Sequence, residues 1–378
     1  MSTTNREQEQ QEQANREDRV LERIEVFRKR RPRFRDEMVT LAHGAGGRAS
    51  AALIDAVFLE ALSAAATAAP LPGGGSELAD AAVVELPSGE RLAVTTDSFV
   101  VRPLRFPGGS IGHLAINGSV NDLAAVGARP RWLSAAFVLE EGLPVEELRS
   151  VVADMALAAE SAGVQVVTGD TKVVGKGAAD GMYVTTTGVG LVPAGRHLGT
   201  RNVRQGDKVL VSGTIGDHGM AVMLARGDLE LECDLRSDSA SLAGLVENLL
   251  AAAPGTRWLR DPTRGGVGTV CNELAGSSGL SVILDEEALP VLPEVAGACD
   301  LLGIDPLYVA NEGKMLAVVP EVEAEAALAA MRDHPLGRRA AVIGEMAGEP
   351  EGIVILRTGF GGTRIVDMLV GDPLPRIC

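Results

Sequence analysis

Aromatic side chains make up only 3% of the 378 residues, although 46% are hydrophobic. The cores must therefore be built from Ala, Val and Leu, a composition that suits helices packed closely on sheets. Long apolar runs are absent too. No stretch of about 18 apolar residues is available to span a bilayer, and the first forty residues lack an apolar signal core, so neither membrane insertion nor export is expected. Positive charge is in short supply: the formal net charge is -16, with no basic stripe interleaved with aromatics, which argues against a nucleic-acid ligand. Cysteine is scarce and scattered. Cys233, Cys271, Cys299 and Cys378 form no CxxC pair and have no His at zinc spacing, so a reducing cytoplasm is the expected compartment.

What is present suits two domains, since 378 residues exceed one ordinary core. Residues 1–38 are dense in Gln, Glu and Arg and too poor in apolar residues to bury; they read as a disordered charged extension. Its RKRRPRFR run could meet an acidic partner, but a solvated charge run is the simpler reading. From Val39 onward the pattern is mixed α/β. Arg91–Thr95, Val164–Val167 and Met182–Val189 read as strands, being short, rich in Val and Thr and bounded by Gly or Asp; Ser50–Ala69 and Pro144–Ala162 read as helices. A polar pause near Pro193–Asp207 separates a first domain, 39–193, from a second, 194–350. Residues 351–378 read as a last strand and a mobile tail.

Several motifs could carry chemistry. HGAGG places Gly46 and Gly47 before a predicted helix, where backbone N–H groups could approach an anion, although a tight turn explains the glycines equally simply. Short carboxylates recur at strand ends or in polar turns: Asp80 in LADAAVV, Asp97 in VTTDSFV, Asp122 in VNDLAAV, Asp170 in TGDTKVV and Asp261 in LRDPTRGG. Each alone reads as an Asx turn or cap. Together they offer the hard oxygen ligands that Mg²⁺ prefers, with room for phosphate oxygens. Arg264, before two glycines, could converge on a phosphate with backbone amides. Glu312 in ANEGK could act as a general base or form a surface ion pair with Lys314. His43 and His113 have no neighbours at metal-binding spacing. The chain ends in DPLPRIC, two prolines stiffening an arm that carries the Cys378 thiol, a candidate carrier group.

Read together, HGAGG, TTDSFVV, PLRFPGG, NDLAAVGA, EEGLP, TGDTKVV, SGTIGDHG, DPTRGGV, ANEGK and LPRIC stand in the order found in one family. From Leu41 to Cys378 the chain resembles the hydrogenase-maturation carbamoyl dehydratases, the HypE family, within the superfamily of aminoimidazole ribonucleotide synthetase and selenophosphate synthetase. The resemblance implies a two-domain α/β (α+β) fold, with the N-terminal domain forming a shared β-barrel across a homodimer and a C-terminal α/β domain. It implies ATP and Mg²⁺ as cofactors, bound through Gly46, Gly47, Asp80, Asp97, Asn121, Asp122, Asp170, Thr171, Asp261 and Arg264, with Asp80, Asp97, Asp122, Asp170 and Asp261 as metal ligands. Catalysis would fall to Cys378 as carrier, Glu312 as base and Lys172 as the group that polarises the oxygen or steadies the γ-phosphate. A carbamoyltransferase maturation protein would load Cys378, ATP-dependent dehydration would turn the thiocarboxamide into a thiocyanate, and an iron-carrying maturation complex would receive the cyanide for [NiFe]-hydrogenase. The chain departs from the family pattern at His113, where relatives have Lys. Two rivals remain: a selenophosphate synthetase, which carries a reactive Cys or selenocysteine near its N-terminus whereas the first cysteine here is Cys233, and a non-catalytic scaffold whose cysteine tail docks on a partner.

Overall fold

The computed structural model of the chain describes residues 36–44, 46–65, 79–227, 233–369, 371, 374, 377 and 378. The expected charged extension lies, as far as residue 35, outside the described residues. A helical stretch covers Arg48–Leu53, Ile54–Leu59 and Glu60–Ala65. The first sheet is then built from β1 (Ala82–Glu85), β2 (Arg91–Phe99), β5 (Arg129–Glu140), β6 (Gln165–Val174) and β7 (Met182–Val192), with the short pair β3 (Arg105–Phe106) and β4 (Gly109–Ser110) beside it. Its order is β1-β2-β7-β5-β6, antiparallel except for β5 and β6, which run parallel because the helix Val145–Ala162 connects them.

That helix begins after Pro144 and stops at Gly163 in the left-handed conformation, close to the expected Pro144–Ala162. The helix Ile111–Ala125 is buried almost all round, including its Asn and Ser. Gly118 makes this possible: a Cβ there would lie 2.8 Å from the Phe99 ring, so only glycine lets the helix sit down on β2. The alternation of buried and half-buried residues along β7 gives the sheet one covered face and one open one. Strand β6 differs, being exposed from Gln165 to Val173. It ends the sheet as an open edge, so within one chain the sheet does not close on itself.

The second sheet has seven strands: β8 (Lys208–Val211), β9 (Trp258–Arg260), β10 (Ser281–Asp285), β11 (Leu316–Val319), β12 (Ala341–Ala347), β13 (Val354–Arg357) and β14 (Thr363–Val366), in the order β14-β13-β10-β12-β8-β11-β9. Near-continuous Val and Leu bury β8 almost wholly and every residue of β11. Helices pack on both faces, Gly266–Ser278 on one and Ala243–Ala252 with Ala324–Asp333 on the other, as the two apolar clusters around Val267 and Leu245 show. The expected lone strand after residue 350 is in fact a pair, β13 and β14, paired into this sheet.

The tail departs from expectation. Leu374 and Ile377 are 2% and 3% exposed and sit in the core that joins the first-sheet helices to the helix Asp217–Arg226. The reason is sequence spacing: two large aliphatic residues three apart can both turn inward. Burying each contributes about 1.5–3 kcal/mol toward ordering the tail. The backbone N–H of Val100 donates to the Cys378 carbonyl at 3.0 Å, which seats the terminus beside the end of β2.

Candidate active site

The carboxylates that look scattered in sequence meet at the junction of the two units. Asp80 lies just before β1, Asp97 within β2, Asp122 within the helix Ile111–Ala125, and Asp261 directly after β9. They line one cleft of about 200 Å³ with Thr96, Gly118, Arg260, Thr263, Arg264, Glu312 and Cys378. A larger hollow of about 310 Å³, around Arg91, Arg129 and Arg131, lies at the opposite end of β2 and holds no converging carboxylates. Asp97 and Asp122 correct the expectation of strand-end turns: one is inside a strand, the other inside a helix. Rigid elements thus hold both.

Asp80, Asp122 and Asp261 each offer a carboxylate oxygen within 4.8 Å of the others. Burial raises all three above the ordinary carboxylate range, and their mutual repulsion adds to it; Asp261 is pushed up to about 6. Burial also raises Asp97, against the pull of Arg264. Arg260 offsets part of the charge, its Nε lying 2.8 Å from Asp80 and its guanidinium 3.2 Å from Glu273. Thr95 donates its hydroxyl to Asp122 Oδ2 at 2.7 Å. Buried oxygens that repel one another fit a small divalent cation, which would relieve the repulsion, and hard oxygen donors suit Mg²⁺.

Glu312 is 3% exposed, and burial raises its carboxyl well above the usual range, helped by Asp261, Asp97 and Asp238. Its backbone is fixed from two sides. Asp238 Oδ1 accepts its N–H at 3.1 Å, and Asn121 Nδ2 donates to its carbonyl at 3.2 Å. Gly313 follows because a Cβ there would stand 1.7 Å from the Asp238 carbonyl. Burial acts against the charge on Asp238, but Lys314 at 2.9 Å and the Glu312 amide outweigh it and hold the carboxyl low. Lys314 is therefore a buried support for Asp238 beneath Glu312, not a surface ion-pair partner of Glu312.

Asn121 spends its amide on the Ala240 and Glu312 carbonyls and accepts from the Leu242 N–H, so in this chain it holds the site together. Gly46 packs against Arg264, and its N–H donates to Ser50 Oγ at 2.9 Å. Gly47 precedes the helical stretch at Arg48. Arg264 donates to the Gly44 carbonyl, and the negative charge of Cys378 is the largest influence raising its already high pKa. Three expected site residues lie elsewhere. Asp170, Thr171 and Lys172 stand on exposed β6, where Asp170 and Lys172 pair at 2.8 Å and side chain Lys172, then the Thr171 amide, pull the Asp170 carboxyl down. The ladder row Asp97, Thr186, Ala135, Gly169 puts them three strands from Asp97, about 14 Å at strand spacing. The expected strand Val164–Val167 runs on to Val174, because the β-branched residues of TKVV continue it. His113 pairs with Ser110 Oγ and faces Asp154, and His43 bonds Asp36 and the Thr40 N–H. Arg260, Thr96, Thr263 and Asp238 escaped notice in sequence; the first three lie in or beside the DPTRGG and TTDSFVV motifs, whereas Asp238 carried no local signal.

Comparison with known proteins gives the class first. Residues 78–192 match the model of the AIR synthase related protein N-terminal domain, and residues 204–357 that of the AIR synthase related protein C-terminal domain. Fold and cleft thus define a two-domain AIR-synthase-related protein. The chain is 55% identical over 345 residues to the carbamoyl dehydratase HypE of Rhodobacter capsulatus, covering 91% of this chain and 99% of that protein. Among solved structures it is similar to a HypE–HypF complex, with TM-score 0.76 and 45% identity over 83% of this chain and 100% of that one. It is also similar to a hydrogenase maturation protein HypE in complex with ATP, with TM-score 0.73 and 44% identity over 90% of this chain and 100% of that one. The chain belongs to the HypE carbamoyl dehydratase family. No helix among the described residues is long and apolar enough to cross a membrane.

Proposed function

We propose that this chain dehydrates a carbamoyl group carried on Cys378 as a thiocarboxamide, yielding a thiocyanate, with ATP converted to ADP and phosphate. The observation that carries the reading is the presence of Cys378 in the same cleft as Glu312 and the aspartates. A carrier thiol has no use for such a base unless chemistry takes place on its cargo. ATP, held with Mg²⁺ by Asp80, Asp97, Asp122 and Asp261 and by Arg264, would supply the phosphoryl group that turns loss of water from an amide into loss of phosphate. The carbamoyl nitrogen loses both of its protons, one as the oxygen accepts the phosphoryl group and the second to Glu312 as phosphate departs and the C≡N bond forms; the raised proton affinity of Glu312 suits that task. Arg264 offsets charge that gathers on the departing oxygen. The buried Leu374 and Ile377 anchors keep water away from the thiol side of the cleft.

Loading needs the tail to leave the cleft, since a carbamoyltransferase has to reach the thiol. The crystallised relative bound to HypF supports such a protein partner. An iron-carrying complex would take the cyanide afterwards, in a cytoplasmic setting. The open edge of β6 supports a homodimer formed through the first domains, with the sheets of two copies completing a barrel. In that assembly Asp170, Thr171 and Lys172, remote from Cys378 in their own chain, would serve the cleft of the neighbouring copy, Lys172 polarising the carbamoyl oxygen. Mass spectrometry of Cys378 after carbamoylation, with and without ATP, tests the reading: loss of the mass of one water on adding ATP is expected, and retention of the carbamoyl mass overturns it.

A further inference from the structure

We propose that His218 is a positioning residue for this reaction: its Nε2–H clamps the Ile377 carbonyl and so holds the terminal thiol in the carboxylate cleft. The inference rests on the dehydration reading for its purpose, but its geometry stands alone. His218 is the second residue of the helix Asp217–Arg226 and is fully buried. Its Nε2 lies 3.0 Å from the Ile377 carbonyl oxygen and its Nδ1 2.8 Å from Ser237 Oγ. A carbonyl only accepts, so Nε2 carries the proton and Nδ1 accepts the Ser237 hydroxyl. Ser237 is itself held: its N–H donates to the Pro107 carbonyl at 2.8 Å, and its Oγ accepts the Ser239 N–H at 3.1 Å. The Phe106 ring stands edge-on at 5.4 Å and fixes the plane of the imidazole. Burial draws its proton affinity down, which keeps the ring neutral.

A histidine that merely filled the core would find its partners within its own domain. This ring instead spends its one N–H on the last peptide group of the chain, beside the residue that must come and go. Asp238, adjacent to Ser237, accepts the Glu312 N–H, so one loop supports both the latch and the base. This bond acts alongside the Val100 N–H and the two aliphatic anchors, so its loss shifts the docked fraction by the worth of one hydrogen bond.

The test reads thiol accessibility in the full chain, without ATP or partner. Alkylation of Cys378 by iodoacetamide is followed by mass spectrometry of the C-terminal peptide, with the exposed Cys233 as internal reference. His218→Leu keeps the apolar bulk and removes the donor; Cys378 should react roughly two- to tenfold faster, as expected for one buried neutral hydrogen bond, while Cys233 is unchanged. His218→Gln, whose amide N–H can still reach the carbonyl, should stay near wild type. Ile377→Ala loosens the tail without touching the ring and should also speed the reaction. If His218→Leu fails to fold, Ser237→Ala answers the question, with a smaller rise in the same direction. An unchanged rate in folded His218→Leu or Ser237→Ala, or equal acceleration by His218→Leu and His218→Gln, overturns the latch. Because alkylation needs no turnover, failure of the dehydration reading would leave this result standing, and the two failures are distinguishable.

Discussion

Asp261 and Asp170 read alike in sequence, each a carboxylate following an apolar strand, yet the molecule treats them oppositely. Asp261 is 4% exposed, crowded by other carboxylates and pushed up to about 6. Asp170 stands on an exposed edge strand, and its neighbour Lys172 pulls its carboxyl down. Residue type, local motif and even a cation alongside, Arg260 for the one and Lys172 for the other, do not separate them; burial does. The first region is assembled within one chain, while the second stands open on an edge strand.

The comparison breaks most decisively at the thiol that the first region surrounds. Cys378→Ala should abolish the cyano product while leaving the melting temperature within a few degrees, since Leu374 and Ile377 keep their burial; delivery of cyanide by this variant would end the carrier reading. Next comes the base. Glu312→Gln keeps shape, and carbamoylated Cys378 should persist with dehydration slowed by about 10²- to 10⁴-fold, followed on pre-carbamoylated protein. A rate within a few-fold of wild type would reduce Glu312 to a structural role.

The edge strand is probed by mixing chains. Lys172→Ala and Glu312→Gln should each be impaired as pure protein, and mixed copies should regain part of the activity if each cleft borrows β6 from its neighbour. No recovery on mixing means that each cleft uses only its own chain, and an unimpaired Lys172→Ala means that Lys172 is a surface ion-pair residue. For nucleotide affinity, calorimetry with Mg²⁺ should show Asp97→Ala weakening ATP by about tenfold or more, which is about 1.4 kcal/mol.

The smallest effect expected is on stability against pH. A carboxyl raised in the folded state contributes stability that is present below its unfolded value near 4 and lost as pH rises through the folded value. For Asp261 the loss runs to about pH 6. Metal-free protein should therefore melt at a lower temperature as pH rises from about 4 to about 6. Asp261→Asn or added Mg²⁺ should flatten that slope; an unaltered slope in both would show that these groups are not mutually strained.

The sequence by itself determined a good deal: a mixed α/β chain, the helix that starts after Pro144 and stops at Gly163, the strands at Arg91 and Met182, and the motifs that carry the family likeness. These are local properties, fixed by periodicity, caps and the order of residue types. Which carboxylates meet was not local. Asp80 and Asp261 are far apart along the chain and share a cleft because β9 carries Asp261 to the edge of one sheet beside the start of the other. The docked tail was equally hidden, for DPLPRIC reads as a stiff free arm until the pockets for Leu374 and Ile377 and the His218 ring are in place. Burial, and with it proton affinity and tail position, depends on what the rest of the chain brings alongside, so only the tertiary structure decided it.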